Sequence, residues 1–132
     1  AALWSKRGFD FCYCTPGTND SGVDVVAISG MVGELIQTKT SGYEGTKLGW
    51  ETVKDVVGGE AFYRRKHPSI VFRKVGVTNQ FFNAQAHEQA SLNDVELVDQ
   101  NKLSELLKQH PVTMMDLERL LYAEWSAAEE LG

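Results

Sequence analysis

The chain has no long apolar run and contains little cysteine, proline or histidine. Its 132 residues include 2 Cys, 3 Pro and 3 His. No apolar run approaches the roughly 18 residues that a membrane-spanning helix needs, and the N-terminus lacks the apolar segment of a secretory signal. The spacing of Cys12 and Cys14 suits neither a disulfide nor a zinc site, so we interpret both as small buried side chains in a cytoplasmic protein.

Negative charge is in excess, but it is concentrated in the last part of the chain. Residues 1–93 hold 10 Lys and Arg against 9 Asp and Glu, whereas residues 94–132 hold 3 against 9. The first segment is therefore compatible with a nucleic-acid partner, despite a net charge of -5. The basic residues that we consider as DNA-backbone contacts are Lys47, Arg64, Arg65, Lys66, Arg73 and Lys74. Most of them are equally compatible with a solvated helix end.

Hydrophobic periodicity predicts three early strands, followed by helices that alternate with strands. The predicted strands are residues 8–15, 23–28, 34–40, 73–78 and 95–98. The predicted helices are residues 47–65, one that begins after an Asn79 cap, one that begins after an Asp99 cap, and a last one from residue 113. Early antiparallel strands followed by alternating elements predict an α/β fold: a mixed sheet with helices on both faces.

We expect a single domain over residues 1–132, with a core of about residues 8–108 and an extra C-terminal helix at about 113–131. Thr113 and Asp116 are spaced like a capping box at the start of this helix. Trp50 and Trp125 both fall on helical stripes, which favours core packing over stacking on a base. The Gly-rich segment 41–47 lacks the P-loop pattern, so we expect no nucleotide cofactor. This segment either flexes over a phosphate backbone or serves only as a loop.

Polar residues at the predicted second and third strands indicate a hydrolytic site. Asp24 begins one strand, and the alternation of the next strand sets Leu35, Gln37 and Lys39 on one face. If the two strands form a hairpin, Asp24 and Gln37 lie near each other across it. A carboxylate, a second oxygen ligand and a lysine at one sheet edge are suited to Mg²⁺ and to an attacking water. The spacing alone is not specific.

Residues 20–27, Asp-Ser-Gly-Val-Asp-Val-Val-Ala, and 35–39, Leu-Ile-Gln-Thr-Lys, resemble the catalytic core of Mrr-like restriction endonucleases. These enzymes belong to the PD-(D/E)XK nuclease superfamily, and the similarity extends over about residues 8–108. The resemblance implies a restriction-endonuclease-like fold and Mg²⁺-dependent hydrolysis of DNA phosphodiester bonds, with Mn²⁺ as a substitute for Mg²⁺.

The resemblance also implies a role for each matching residue. Asp24 is the expected metal-binding carboxylate, and Gln37 is either a second ligand or a residue that positions a ligand. The backbone carbonyl of Thr38 is a further expected ligand, and Lys39 is expected to act on the nucleophilic water. Asp20 matches the first acid of the motif and is either an accessory group or only a turn former.

Two departures from the family pattern leave other functions open. Many relatives carry a Glu on a helix before the first strand, but residues 1–9 contain no acid, and Gln37 is neutral where other branches carry Glu. A weakly active or inactive DNA-binding or assembly module of the same fold is therefore one alternative, and a Holliday-junction-resolvase-like nuclease is another. Because double-strand cutters need two active sites, we also expect a homodimer, which a monomeric mass in solution would rule out.

Overall fold

The structure is a computed structural model that describes residues 1–15 and 22–118. Its strands are β1 (Phe11–Cys14), β2 (Val25–Ser29), β3 (Val32–Lys39), β4 (Lys47–Leu48), β5 (Val71–Thr78), β6 (Phe81–Phe82) and β7 (Val95–Val98). Its helices are α1 (Ala2–Lys6), α2 (Glu51–Lys66), α3 (Ala84–Leu92) and α4 (Gln100–Gln109), and residues 114–118 are also helical. Most of the predicted last helix, including Trp125, lies outside the described residues.

The main sheet is mixed, as the sequence predicts. Its strand order is β1-β2-β3-β5-β7; the first three strands are antiparallel, whereas β3, β5 and β7 are parallel. Because β2 runs opposite to β3, the start of β2 lies at the same edge as the ends of β3, β5 and β7. We call this edge the upper edge and the opposite one the lower edge. In open α/β sheets, ligands bind beyond the carboxyl ends of the parallel strands.

Apolar side chains cover both faces of the sheet, and helices pack on each face. On one face Ile36, Val75 and Val77 pack with Leu3 and Trp4 of α1, and Leu103 and Leu106 of α4 flank them. On the other face, side chains of α2 and α3 pack on residues of the sheet and of the segment before β2. The buried residues there are Val53, Val56 and Tyr63 of α2, Ala90 of α3, and Val23, Val26, Leu35 and Val95. The predicted α/β architecture is therefore confirmed. None of the helices described in the structure has the length and apolar character needed to cross a bilayer.

A buried acid near the start of β3 has a structural role. Glu34 is only 4% exposed and accepts a hydrogen bond of 2.6 Å from the Trp4 indole nitrogen. The guanidinium groups of Arg7 and Arg73 lie 3.6 and 3.8 Å from its two carboxylate oxygens. These partners compensate a charge that burial alone would disfavour. Glu34 thus joins α1 to the sheet near the lower edge.

Two predicted helix starts are wrong, and in each case the residues concerned form a small second sheet. Residues 47–48 are not the start of α2 but strand β4, which pairs in parallel with β6. Asn79 does not cap α3, because Asn83 is the residue whose side chain accepts from the Ala86 nitrogen at 2.8 Å. β4 and β6 are far apart in the sequence, so the local hydrophobic period of either segment does not predict that they pair as strands.

Burial corrects two further expectations, whereas two predicted caps are confirmed. Trp50 precedes α2 and is 37% exposed, so it is not a core residue. Cys12 is half-buried and Cys14 is exposed, so the expected burial of both is also wrong. Asp99 caps α4 through the Lys102 nitrogen, as predicted. The Thr113 and Asp116 pair closes the predicted capping box, with reciprocal hydrogen bonds of 2.8 and 3.2 Å.

Candidate active site

The hairpin of β2 and β3 brings Asp24 opposite Gln37 at the upper edge. The strand register pairs Val25 with Ile36, and one step further places Asp24 across from Gln37. The backbone nitrogen of Asp24 also donates to the carbonyl of Ile36 at 2.8 Å. Gln37 is 7% exposed and Asp24 is half-buried, so the two side chains form the partly covered rim of the sheet.

One carboxylate oxygen of Asp24 is held by three donors. Oδ2 accepts from the Thr38 backbone nitrogen at 2.8 Å and from Thr38 Oγ1 at 2.7 Å. With the Gln37 amide in the orientation that satisfies both of its neighbours, its nitrogen donates to Oδ2 at 3.2 Å and to the Gly22 carbonyl at 3.1 Å. The carboxylate is therefore fixed in one orientation. Oδ1 accepts no hydrogen bond from the residues that the structure describes.

Lys39 lies two residues beyond Gln37 on the same face of β3, and its ammonium contacts helix α2. Its Nζ atom lies 3.4 Å from Asp55 Oδ2, and the two side chains are 43% and 36% exposed. Sequence reasoning missed Asp55. The sequence offers one signal, which is the place of this acid near the start of the helix that follows β3.

Gly22 brings the Asp24 segment against the backbone of α2. Its φ is +81°, and a Cβ built there would lie 2.1 Å from the carbonyl oxygen of Asp55. Only glycine allows this approach, because any side chain would overlap the helix backbone. The same contact region therefore supports the Gln37 amide, through the Gly22 carbonyl, and the Lys39 ammonium, through Asp55. Asp20, the other acid of the motif, lies outside the described residues.

The donor set suits a hard divalent cation that keeps much of its water. Oδ1 of Asp24 and the backbone carbonyl of Thr38 are oxygen donors of the kind that Mg²⁺ accepts alongside bound water. In the orientation that satisfies its hydrogen bonds, the Gln37 amide turns its nitrogen toward Asp24, so the amide must turn over before its oxygen can serve as a ligand. Among residues 1–15 and 22–118, no three His, Cys, Asp or Glu side chains are grouped closely enough to hold a metal. The residues thus fit a weakly held Mg²⁺.

The candidate DNA-backbone residues do not share one surface. Lys47 lies in β4, close in sequence to the end of β3. Arg64 lies nine residues beyond Asp55 on α2, about 14 Å along the helix toward the lower edge, and Arg65 and Lys66 follow it.

Several of these basic groups already have partners. Arg64 and Lys74 both pair with Glu60, and Arg73 pairs with Glu34. The Lys66 ammonium lies 5.4 Å from the centroid of the Tyr13 ring. Of the six candidates, Lys47 is the one on a strand beside the upper edge, since β4 pairs with β6, which follows the end of β5.

Comparison with solved structures supports a restriction-endonuclease-like fold. The chain is similar to AF1548, a protein of unknown function, with a TM-score of 0.58 and 17% identity over 92% of this chain and 72% of that one. It is also similar to the MspJI restriction endonuclease, which was solved with a 27-mer oligonucleotide. That match has a TM-score of 0.55 and 23% identity, and it covers 84% of this chain but 26% of MspJI. A comparison with curated proteins finds no match.

The family profile agrees with the fold. The profile named Mrr_cat, described as restriction endonuclease, matches residues 1–107. The chain therefore belongs to the Mrr_cat restriction endonuclease family. The matched residues include Asp24, Gln37, Thr38 and Lys39, as well as Asp55.

Proposed function

We propose that this chain is the catalytic domain of a Mg²⁺-dependent DNA endonuclease. One observation carries the proposal: Asp24, Gln37 and Thr38 are joined by hydrogen bonds across the β2–β3 hairpin, and Lys39 follows on the same face. This cluster lies at the edge of the sheet where α/β folds bind their ligands. Family membership supports nuclease chemistry on DNA, and the oligonucleotide in the MspJI structure is in keeping with a DNA substrate.

Each residue would have a separate task in phosphodiester hydrolysis. Asp24 would hold the cation through Oδ1, since Thr38 and Gln37 fix its other oxygen. When bound, Mg²⁺ would lower the pKa of a water and stabilise charge on the scissile phosphate. Lys39 would orient the attacking water or neutralise the phosphate. Asp55 is a positioning residue, because its carboxylate fixes the direction of the Lys39 ammonium.

A second candidate function has two observations in its favour. Helix α1 contains no acid, and the described residues hold no group of three metal-ligating side chains. A DNA-binding or assembly module that keeps the fold but has lost most of its activity would also show these features. The two candidates differ in one measurable property, which is cleavage of DNA in the presence of Mg²⁺.

The test is cleavage of a supercoiled plasmid by the parent protein and by Lys39→Ala, with Mg²⁺ and with a chelator. We expect nicked and linear products only with Mg²⁺ and the parent protein, and a rate at least about 100-fold lower for Lys39→Ala, since removal of one electrostatic contact at a reacting centre has effects of that size. Lys108→Ala is the matched control, because Lys108 lies on α4 at the opposite face of the sheet.

Equal cleavage by the parent and Lys39→Ala would contradict the proposed site and would point to a contaminant. Binding of the parent to DNA without cleavage at any Mg²⁺ or Mn²⁺ concentration would favour the second candidate. Preference for branched over linear duplexes, compared side by side, would indicate a junction-cleaving enzyme instead.

A further inference from the structure

The segment that follows the catalytic strand is tied to the sheet by a pair of amide hydrogen bonds. The Ser41 backbone nitrogen donates to Asn79 Oδ1 at 2.9 Å, and Asn79 Nδ2 donates to the Ser41 carbonyl at 3.0 Å. Asn79 directly follows Thr78, which is the strand partner of Lys39. The two bonds therefore hold the chain just after the catalytic strand against the end of β5. We call residues 40–49 the clasped loop.

A buried side chain fixes the middle of the clasped loop. Gln80 is 7% exposed; its Oε1 accepts from the Gly45 nitrogen at 3.1 Å, and its Nε2 donates to the Ser41 carbonyl at 3.4 Å. Gly45 has a φ of +77°, which a residue with a side chain adopts only at a cost. The parallel pairing of β4 with β6 closes the far end. Hydrogen bonds from Gln80 and the pairing of β4 with β6 thus give the Gly-rich segment a defined conformation.

The clasped loop holds an aromatic ring in solvent. Tyr43 is 83% exposed, although its backbone nitrogen bonds Ser41 Oγ and its carbonyl accepts from Thr46 Oγ1 at 2.6 Å. Its main chain is therefore held by hydrogen bonds, while its ring contributes little to the hydrophobic core. A tyrosine on an ordered main chain has only two side-chain torsions to restrict when it binds a partner, so the entropy cost is low, which is usual for a recognition residue.

Further aromatic and basic groups follow Tyr43 closely in the sequence. Trp50 follows the loop and is 37% exposed, and the Lys54 ammonium lies 5.8 Å from the centroid of its ring. Lys47 is exposed within β4. Aromatic rings together with lysines are typical of surfaces that bind unpaired nucleotides, because a base offers its face to a ring only when it is not stacked in a duplex.

We propose that the clasped loop binds an unpaired nucleotide next to the scissile phosphate, with the Tyr43 ring stacked on its base and Lys47 close to its backbone. This inference rests on the proposed function, since the unpaired nucleotide would belong to the DNA that is cut at the same upper edge. Tyr43 is four residues beyond Lys39, and the bonds between Ser41 and Asn79 hold the intervening chain at the end of β5, so the loop starts from the edge that carries Lys39. The protein would then prefer DNA with an unpaired stretch over a fully paired duplex.

The experiment measures DNA binding by fluorescence anisotropy in a Lys39→Ala background, which leaves the DNA uncut. The probes are a blunt duplex and the same duplex with a single-stranded overhang. We expect Tyr43→Ala to raise the Kd for the overhang probe about 5- to 100-fold, because that is the range for loss of one stacked base, and to leave the blunt duplex within about twofold. Tyr43→Phe should keep the affinity of the parent.

Two further variants serve as controls. Phe62→Ala removes an aromatic ring that is 51% exposed but lies on α2 beyond Asp55, and it should not change either Kd. Lys47→Ala should reduce the slope of log Kd against log salt by about one, whereas Tyr43→Ala should leave that slope unchanged. This difference separates a stacking contact from a phosphate contact.

The outcomes distinguish the inference from the function on which it rests. If the parent cuts plasmid but Tyr43→Ala binds the overhang probe as tightly as the parent, the inference alone is overturned. An equal loss of affinity for both probes also overturns it, because the contact would then be to paired DNA. If no DNA of either kind binds and the parent does not cut, the proposed function fails and the inference fails with it.

Discussion

Strand β3 carries charged residues near both of its ends, and the two ends use charge in different ways. Near the lower edge, Glu34 is 4% exposed and has Trp4, Arg7 and Arg73 as partners. At the upper edge, the Lys39 side chain is 43% exposed and pairs with Asp55 among the residues that the structure describes. The Glu34 carboxylate is buried among partners within the protein, whereas the Lys39 ammonium is exposed enough for a ligand to contact it.

This difference separates residues that stabilise the fold from residues that serve the site. A buried charge with several partners is expensive to disrupt, while an exposed ion pair adds little stability. We therefore expect replacement of the exposed charged side chain at the upper edge to have little effect on the free energy of unfolding, and replacement of Glu34 to have a large effect. Stability and activity measurements on matched variants of the two ends test this separation.

The largest stability effect is expected for Glu34→Ala. The substitution removes the acceptor of the buried Trp4 indole and leaves Arg7 without its carboxylate, so we expect the free energy of unfolding to fall by about 3 kcal/mol. Urea denaturation measures this change. Glu96→Ala is the control, since it removes only an exposed pair with Lys102 and should cost under about 1 kcal/mol. Similar losses for the two variants would contradict a structural role for Glu34.

A smaller loss of stability, with an effect on activity as well, is expected for Gly22→Ala. The new Cβ would overlap the Asp55 carbonyl, and the residue would also keep an unfavourable positive φ, so we expect a cost of roughly 2 kcal/mol and slower plasmid cleavage. Gly30→Ala shares a positive φ but has no atom within 4 Å of the new Cβ. If Gly30→Ala is as harmful as Gly22→Ala, the contact with α2 is not the cause.

The smallest effect is expected from His67, at the lower end of α2. The Tyr13 hydroxyl lies 3.0 Å from His67 Nε2, and burial, followed by the charge of Lys66, lowers the pKa of His67 from 6.5. The unfolded chain therefore binds more protons near this pH, so the contribution of His67 is complete above pH 6.5 and declines below it. Urea midpoints at pH 7.5 and 5.5 should show a small fall, which His67→Gln removes and His87→Gln retains.

The elements that the sequence predicts well are those with a local cause. The apolar alternation of β3 and the Asp99 cap of α4 depend on residues close together in the chain, and the structure confirms both. The same alternation places Gln37 and Lys39 on one face. The closeness of Asp24 and Gln37 follows from a second prediction, that β2 and β3 form a hairpin, and the strand register agrees with it.

Contacts between distant segments are what the sequence does not reveal. The pairing of β4 with β6 and the ion pair of Lys39 with Asp55 depend on how α2 packs on the sheet. The helical period predicts Trp50 as a core residue, but α2 starts only at Glu51, so Trp50 lies before the helix and is partly exposed. The roles of Asp24, Gln37, Thr38 and Lys39 in catalysis stay predictions.

The neutral amide of Gln37 determines the electrostatic balance beside Asp24 in the absence of a cation. In the orientation that satisfies its hydrogen bonds, its nitrogen donates to Asp24, so two negatively charged carboxylates do not face each other there. A glutamate there would face Asp24 with a second negative charge and would relax only when a metal arrived. With glutamine, no repulsion between carboxylates at the upper edge has to be relieved by a cation, so we expect a chelator to leave the fold intact.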